Sequence, residues 1–462
     1  MISIKVGLIG SIVINTMAYL ILELKDFFLI KKIKNIVNTE YKKRLLGNFF
    51  SLSVLQVFTY ILPLITFPYL VKVLGVDKFG LVMFAQAFLM FFNILTDYGF
   101  DLSATREVSI HRDNKEKLTE IYGSVISIKT ILIFVSFIIL TIVVFSFEKF
   151  SSDWELYYLS FLLVIGSAMS PIWYFQGMEQ MKYITIVSIA SKLLFTILIF
   201  VVIQEPSDYI YVPLLNGFGF IFGGVVSLWI IYKKFKQPFV FQKFNTLIIH
   251  FKDSSQFFLS RVSVTIYTSA NAFVLGIFTN NEMVGYYSIA EKLYQALQSI
   301  YHPIVRTVYP YFSKNKNLNM YKKLFFSIVT FHMIAFMIVF NFSKELIDLL
   351  FNLQGDEVIN VFTLFLFSSI LHIPAIFLGY PFLAAFGYPK YANITVVYGS
   401  LFHIVGLISL ALFNYINIYS VSSMVILTES VVFFTRIHYV RKVNLIFKVP
   451  DRGSVNPTPL GG

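Results

Sequence analysis

The sequence predicts an all-α, polytopic membrane protein with about twelve core transmembrane helices arranged as two six-helix lobes. Three observations predict it. The chain is 57% hydrophobic and only 13% charged, with a mean hydropathy of +0.74, whereas soluble domains carry roughly 25% charged residues. Apolar runs of the ~20 residues that a bilayer crossing needs recur along almost the whole chain. The short polar connections between these runs alternate in charge. Cysteine is absent, which removes disulfides, thiolate metal sites and cysteine nucleophiles. The formal net charge of +12 is carried by loop lysines with no nucleic-acid motif beside them. It fits an anionic membrane face, not a nucleic acid.

Taken in order, residues 1–46 form a hydrophobic and basic extension. Its uncharged run, "VGLIGSIVINTMAYLIL", is at the short end for a span, and the amphipathic "ELKDFFLIKKIKN" follows it. It reads as an extra helix or an interfacial segment. Six spans follow at 47–71, 79–105, 117–146, 154–176, 180–203 and 208–232, making an N-terminal lobe over 47–232. A basic linker, 233–247, contains "YKKFKQPFVFQKFN". Six more spans at 248–278, 283–312, 324–350, 357–386, 390–413 and 416–440 make a C-terminal lobe over 248–440. The tail, 441–462, ends in "VPDRGSVNPTPLGG" and reads as disordered.

Loop charge orients these spans. The even-numbered connections carry Arg112, Lys115, Lys117, Lys182, Lys233, Lys234, Lys236, Lys314, Lys322 and Lys390, and the C-terminal end carries Arg441 and Lys442. The odd-numbered ones carry Asp77, Glu148, Asp153, Glu155, Glu205, Asp208, Glu282, Asp356 and Glu357, with few lysines. The positive-inside rule places the even loops and the C-terminus in the cytoplasm. An internal repeat agrees with two lobes. "FGLVMFAQAF" from Phe79 is similar to "VGYYSIAEKL" from Val284, aligning Gly80 with Gly285, Ala85 with Ala290 and Gln86 with Glu291. An even number of spans separates the copies, so the lobes run parallel about an axis along the membrane normal.

Ionisable groups at membrane depth are expensive and face water or a partner. The second span carries Gln86, Asn93, Asp97 and Asp101 within about a quarter-turn. The eighth carries Glu291, Gln295, Gln298, His302 and Arg306 in one stripe, beside Lys292. The seventh aligns Ser254, Arg261, Thr265 and Thr268. Lys129, Lys192, Glu429 and Arg436 stand in other spans. Arg261, Lys129, Lys192, Lys292 and Arg306 are candidate cations for an anionic ligand, and Lys129 and Arg261 have no acid near them in sequence. Glu291, and then Asp97, are candidate coupling carboxylates. Structural roles compete with these readings. Glu291 can pair with Lys292 or Arg261, Asp97 and Asp101 can cap the helix end at Gly99, and His302 can satisfy groups freed by Pro303. Arg106, Arg306 and Arg436 sit near span ends, where arginine snorkels. "DLSATREVSIHRDNKEKL", with Arg106, Glu107 and Arg112, reads as a charged inner gate.

No HExxH, GxSxG, phosphate-binding Gly-rich loop or Cys/His metal spacing occurs in the sequence. It therefore reads as a transporter, with no enzymatic activity, cofactor or metal. Two other classes are weighed: a cation-coupled drug exporter, which calls for an acidic cavity, and an integral-membrane polymerase or acyltransferase, which calls for a large outer loop.

Four stretches carry a family resemblance. "NFFSLSVLQVFTYILPLITFPYLVKVLGVDKFG" and "ILTDYGFDLSATREVSIHRDNKEKLTEI" resemble the first two helices and first cytoplasmic loop of polysaccharide transporters. "PIWYFQGMEQMKYI" and "SRVSVTIYTSANAFVLGIFTNNEMVGYYSIAEKL" resemble further stretches of the same proteins. These are the O-antigen and polysaccharide repeat-unit flippases of the multidrug/oligosaccharidyl-lipid/polysaccharide flippase superfamily. The resemblance runs from about Asn48 to Val440. It implies a V-shaped pair of lobes, alternating access, and a location in the bacterial inner membrane. It implies as substrate an oligosaccharide on undecaprenyl pyrophosphate, moved from the cytoplasmic to the outer leaflet, and a polysaccharide polymerase and chain-length regulator as partner proteins. A pyrophosphate calls for cations, and sugars call for amide, hydroxyl and aromatic surfaces, which Gln, Asn, Thr, Tyr and Trp173 offer.

The absence of cysteine makes the topology testable. A single cysteine at Asp153 should react with an impermeant maleimide from outside, and cysteines at Lys115 or Lys234 only from the cytoplasm. Labelling of position 153 from the cytoplasm alone would overturn the orientation.

Overall fold

The computed structural model describes residues 40–353 and 355–443, with side chains from residue 47 onward except those of 49, 259–261 and 263–269. Most of the extension 1–46 and of the tail 441–462 lies outside the described residues. Among the described residues every regular element is helical. The N-terminal half holds α1 (Glu40–Asp97), α2 (Phe100–Ile110), α3 (Lys115–Ser146), α4 (Glu148–Ser151), α5 (Trp154–Met169), α6 (Ile172–Gly177), α7 (Met181–Val202) and α8 (Tyr211–Lys234). The C-terminal half holds α9 (Phe244–Phe278), α10 (Asn281–Ser299), α11 (His302–Asn315), α12 (Leu318–Asn341), α13 (Ser343–Phe351), α14 (Asp356–Leu378), α15 (Pro389–Leu412) and α16 (Ile418–Lys442).

The first two expected spans are one continuous element, α1. A straight rod of that length would run ~87 Å, nearly three hydrocarbon cores. Gly75, at φ 76° and ψ 164°, turns it back on itself. A residue with a Cβ resists that φ. The rings of Phe67 and Phe79 lie 5.8 Å apart across the turn, where a straight helix would separate their positions by ~18 Å. Tyr98 and Gly99, both at positive φ, break the return arm and start α2.

Nine stretches of described helix are long and apolar enough to cross a membrane, the α1–α2 stretch from Phe50 to Ile110 among them. The seventh and eighth expected spans coincide with α9 and with α10 plus α11. Much of α9 lies outside the described side chains; α10 carries the polar stripe, and α11 has only 14 residues. Counting them as crossings, and so reaching twelve, is a proposal that rests on the charge alternation.

Packing separates the chain into two groups of helices. α8 lies against α5 and α7, and α7 against α1; α16 lies against α14 and α15, and α14 against α10 and α12. The acidic odd-numbered loops gather at one end. Tyr69 Oη donates to the Ile203 carbonyl (2.6 Å), Tyr209 Oη to Asp153 (3.0 Å), and Lys149 Nζ to the Thr279 carbonyl (3.0 Å). The basic loops gather at the other. Arg112 reaches Gly177 and Glu179, and Gln237 Nε2 donates to Thr119 (2.7 Å).

The core follows the same division. At the acidic end one cluster joins both halves, running from Leu70, Phe84 and Tyr157 to Leu275, Tyr287 and Phe362. At the basic end the halves keep separate cores, one around Phe100, Trp173 and Ile231, the other around Phe312, Tyr321 and Phe382. The halves are welded at the acidic end and parted at the basic end, apart from the start of α9, which leans on the N-terminal core through Tyr98 and Phe251 stacked at 4.1 Å.

The weld is a backbone contact between α1 and α10, made by the aligned glycines of the repeat. A Cβ on Gly80 would lie 2.7 Å from the Gly285 amide nitrogen and overlap the Asn281 carbonyl; a Cβ on Gly285 would overlap the Val76 carbonyl. Both obstacles are backbone, which cannot swing aside. Gly285→Ala should therefore weaken the weld by ~1–3 kcal/mol, the usual cost of overpacking. A lower melting temperature and faster maleimide labelling of an Asn281→Cys reporter would show it; unchanged values of both would refute the seam.

Candidate functional site

The polar groups of the second and eighth spans come to the space between the halves, and the first correction concerns their cations. Lys129, on α3, is 3% exposed and donates to Asp97 on α1 at 3.1 Å. It was expected to stand without an acid. Its partner is 32 residues earlier in the chain, invisible to a reading of local sequence. Low dielectric makes such a pair mutually necessary. Lys129 is therefore not an open cation for a ligand, and Asp97 is not an open carboxylate for coupling. Asp101 stands at the start of α2, where its carbonyl accepts from Thr105 (2.6 Å).

On α10 and α11 the stripe holds together. Glu291 is half-buried and makes no hydrogen bond or ion pair among the described residues. Its expected ion pair with Lys292 is not formed, because Lys292 Nζ turns to Gln295 Oε1 (3.3 Å). His302 lies over Tyr60 of α1, with ring centroids 6.2 Å apart and planes 14° from parallel. It thus touches the other half of the molecule. Arg306, one turn further, is exposed and has no partner among the described residues. Gln86 and Asn93 are half-buried on the facing arm of α1, and the Asn93 Oδ1 is buried without a partner. The side chain of Arg261 lies outside the described residues.

Lys192 is separate from this stripe. It lies near the middle of α7 in a cavity of about 100 Å³ between α5, α6, α7 and α8. Ser167, Ser188, Asn216 and Ser227 share the lining, with Gly219 and Gly223 on one wall. Lys192 has no acid or hydrogen-bond partner among the described residues. A cation at such depth needs an anion or water, and this cavity supplies hydroxyl and amide groups for one.

The expected gate is also redistributed. Arg106 pairs with its neighbour Glu107 (2.9 Å) and lies over the Phe257 ring of α9 (5.9 Å). Arg112 donates to the Gly177 carbonyl (2.9 Å) and pairs with Glu179 (3.1 Å). It is a staple within the N-terminal half, because α2 must be tied to the α6–α7 turn. Besides Arg106 over Phe257, the contacts that cross to the start of α9 include His250 Nε2 against Glu120 (3.3 Å). Ser103 and Ser254 share a hydrogen bond (2.7 Å), and Tyr98 stacks on both Phe251 and Phe258. At the acidic end Lys149 crosses to Thr279, and burial pulls its ammonium below the usual lysine range.

Three buried clusters in the C-terminal half were missed. His372 Nδ1 lies 2.9 Å from Glu429. His403 bridges Thr428 (2.8 Å) and Asn271 (2.9 Å). His332 bridges Tyr301 (2.9 Å) and Ser369 (3.1 Å). Each histidine stands alone in an apolar run, with partners on other helices and no spacing to betray them. Arg436 is structural: it is 6% exposed and donates to Thr395 (3.1 Å) and to the Ala375 carbonyl (2.5 Å), which also accepts from the Gly379 amide where α14 gives way to a π-turn. Trp173, offered above as a sugar surface, is fully buried against Tyr122 and Tyr174.

A family described as "Polysaccharide biosynthesis protein" matches residues 45–316. The chain is 30% identical over 281 residues to a protein of Escherichia coli (strain K12) named "Putative O-antigen transporter", across 61% of this chain and 68% of that one. Its fold is similar to that of lipid II flippase MurJ in an inward closed conformation, with a TM-score of 0.69 at 14% identity over 85% of this chain and 88% of that one. It is also similar to an inward-facing multidrug resistance MATE family transporter of the MOP superfamily, with a TM-score of 0.66 at 11% identity over 84% and 96%.

The Lys129–Asp97 pair separates a structural role from a ligand role. Lys129→Ala should lower the amount of folded protein in the membrane, at somewhat less than the ~3–5 kcal/mol of a fully buried pair because Asp97 is partly exposed. Lys129→Met combined with Asp97→Asn should recover most of the loss. If Lys129→Ala accumulates normally and only transport fails, the lysine belongs to the ligand.

Proposed function

Because the chain belongs to the polysaccharide biosynthesis protein family, we propose that it is a flippase for oligosaccharide repeat units carried on undecaprenyl pyrophosphate. The units enter from the cytoplasmic leaflet between the parted halves and leave to the outer leaflet when the Gly80–Gly285 weld opens. This places the protein in the inner membrane with its C-terminus in the cytoplasm, and a polymerase and a chain-length regulator receive its product.

The observation that carries the reading is the balance of unpaired charge. Among the stripe acids Asp97 is engaged by Lys129, and outside the stripes Glu429 meets His372. Two cations, Lys192 and Arg306, stand without partners among the described residues. A drug exporter needs the reverse balance. A polyanionic head group fits this one, since charge-assisted bonds to phosphate are the strong ones. Glu291 is the stripe carboxylate without a partner among the described residues, and it takes the coupling role here. Its carboxyl would bind a proton when desolvated and release it when wetted.

Cells lacking the protein and any second flippase should hold the lipid-linked units on the cytoplasmic leaflet and lose surface polysaccharide; unchanged surface polysaccharide would overturn the reading. In vesicles, Arg306→Ala and Lys192→Ala should each slow flipping about tenfold or more at normal protein amounts, as expected for a lost charged hydrogen bond of ~1.5–3 kcal/mol. In the same vesicles Glu291→Gln should lose its response to an imposed pH gradient, and a normal response would remove Glu291 from the coupling role.

A further inference from the structure

The C-terminal half contains an opening that this reading leaves unused. It is a cavity of about 150 Å³ between the α10–α11 junction and α12, floored by α14. Tyr294, Tyr301, Phe331 and Phe336 give it aromatic walls. Ile300 and Ile334, at its edge, are 41% and 48% exposed. Phe326, Met337 and Phe340 continue that exposed apolar face along α12. In a chain of this composition such a face meets acyl chains, so the cavity is a slot open to lipid.

The lining holds polar groups; the Tyr294 Oη is buried without a partner among the described residues, and the chain through His332 is satisfied. Tyr301 Oη meets His332 Nδ1, His332 Nε2 meets Ser369, and Ser369 donates to the Leu366 carbonyl (2.5 Å). Little is left to hold water, and an apolar cavity of this size stays dry and accepts a group about as large as benzene. A five-carbon isoprene unit, with a branch methyl and a planar double bond, is near that size. A straight acyl chain is narrower and leaves the walls uncovered.

The slot is also placed correctly for the tail of the transported lipid. Gln298 lines it and belongs to the polar stripe as well. At ~100° per residue the slot is centred about a quarter-turn from that stripe. It opens where α10 ends at Ser299 and α11 begins at His302. An amphiphile with its anionic head on the His302–Arg306 side would find its first carbons there.

We infer that this slot seats the isoprene unit next to the diphosphate, and that it selects polyprenyl carriers over straight-chain lipids. The inference rests on the proposed flippase reading. The test uses the full chain in proteoliposomes with two substrates bearing the same sugar diphosphate, one on undecaprenyl and one on hexadecyl. Wild type should favour the undecaprenyl form by about tenfold or more, the range for one small apolar group in a fitted pocket. Ala335→Trp, which fills the slot from α12, should lower the undecaprenyl rate to the hexadecyl rate and leave the latter unchanged. A photoreactive undecaprenyl diphosphate should label Ile334 or Met337 in wild type. If Ala335→Trp does not fold, Ala335→Phe and the labelling decide the matter. Equal wild-type rates, a preference that survives in the filled variant, or labelling there by phospholipid alone would overturn the slot. Failure of wild type to move the undecaprenyl form at all would overturn the flippase reading itself.

Discussion

The architecture depends on one close approach, the backbone contact of α1 and α10 at Gly80 and Gly285. Two helices carrying side chains there would sit 8–10 Å apart. With no Cβ on either side, amide and carbonyl groups of the two halves meet directly. That closeness lets Phe84, Ala85, Val284, Tyr287, Ile289 and Ala290, all 1% exposed or less, close into one core at the acidic end. Among the described residues the basic end has no comparable contact between the later helices of the two halves, and its cores remain distinct. A molecule joined at one end and parted at the other has the form that alternating access requires. On the proposed function the weld is the element that changes, breaking before the opposite end closes.

Charge obeys a second constraint, that no ion at membrane depth stands alone without a purpose. Lys129 and Arg436 are each fitted with acceptors, Asp97 for the first, a carbonyl and a hydroxyl for the second. These groups organise the fold and are unavailable to a ligand. Subtracting them sharpens the functional contrast. What remains among the described residues is Lys192 in its hydroxyl-lined cavity and Arg306 at the end of the stripe. The two are not neighbours, so a bound head group would meet them in succession or in different states, not as a single clamp.

Much of the fold was legible in the sequence because bilayer crossing is written in length and hydropathy, which are local properties. All twelve expected spans fall on described helix. The turn at Gly75 and the break at Gly99 coincide with glycines, and the loop charges do collect at two ends. The site was less legible, and the reason is again locality. Asp97 and Lys129 looked like two separate features because the bond between them joins different helices. The histidines 332, 372 and 403 looked incidental for the same reason. Arg112 looked like a gate because its sequence neighbours are charged, whereas its real partner is the turn at Gly177. Trp173 looked like a sugar platform because aromatic residues serve both roles, and only burial distinguishes them.

The repeat shows where symmetry is kept and where it is given up. A seam between two related halves is nearly self-complementary, so a close approach needs a small residue on both faces. Gly80 and Gly285 meet that need, and Ala85 and Ala290, both fully buried, fill equivalent positions just behind them. At the very next residue the aligned pair is Gln86 and Glu291, and the symmetry ends. Packing tests each half against its counterpart, so it preserves likeness. A lipid of the kind proposed as substrate has a charged head, a sugar face and an apolar tail, and nothing about it is two-fold. The groups that meet it are free to differ between halves. On that proposal the C-terminal half has used that freedom, gathering around α10 and α11 a carboxylate without a partner among the described residues, the buried histidines and the apolar slot.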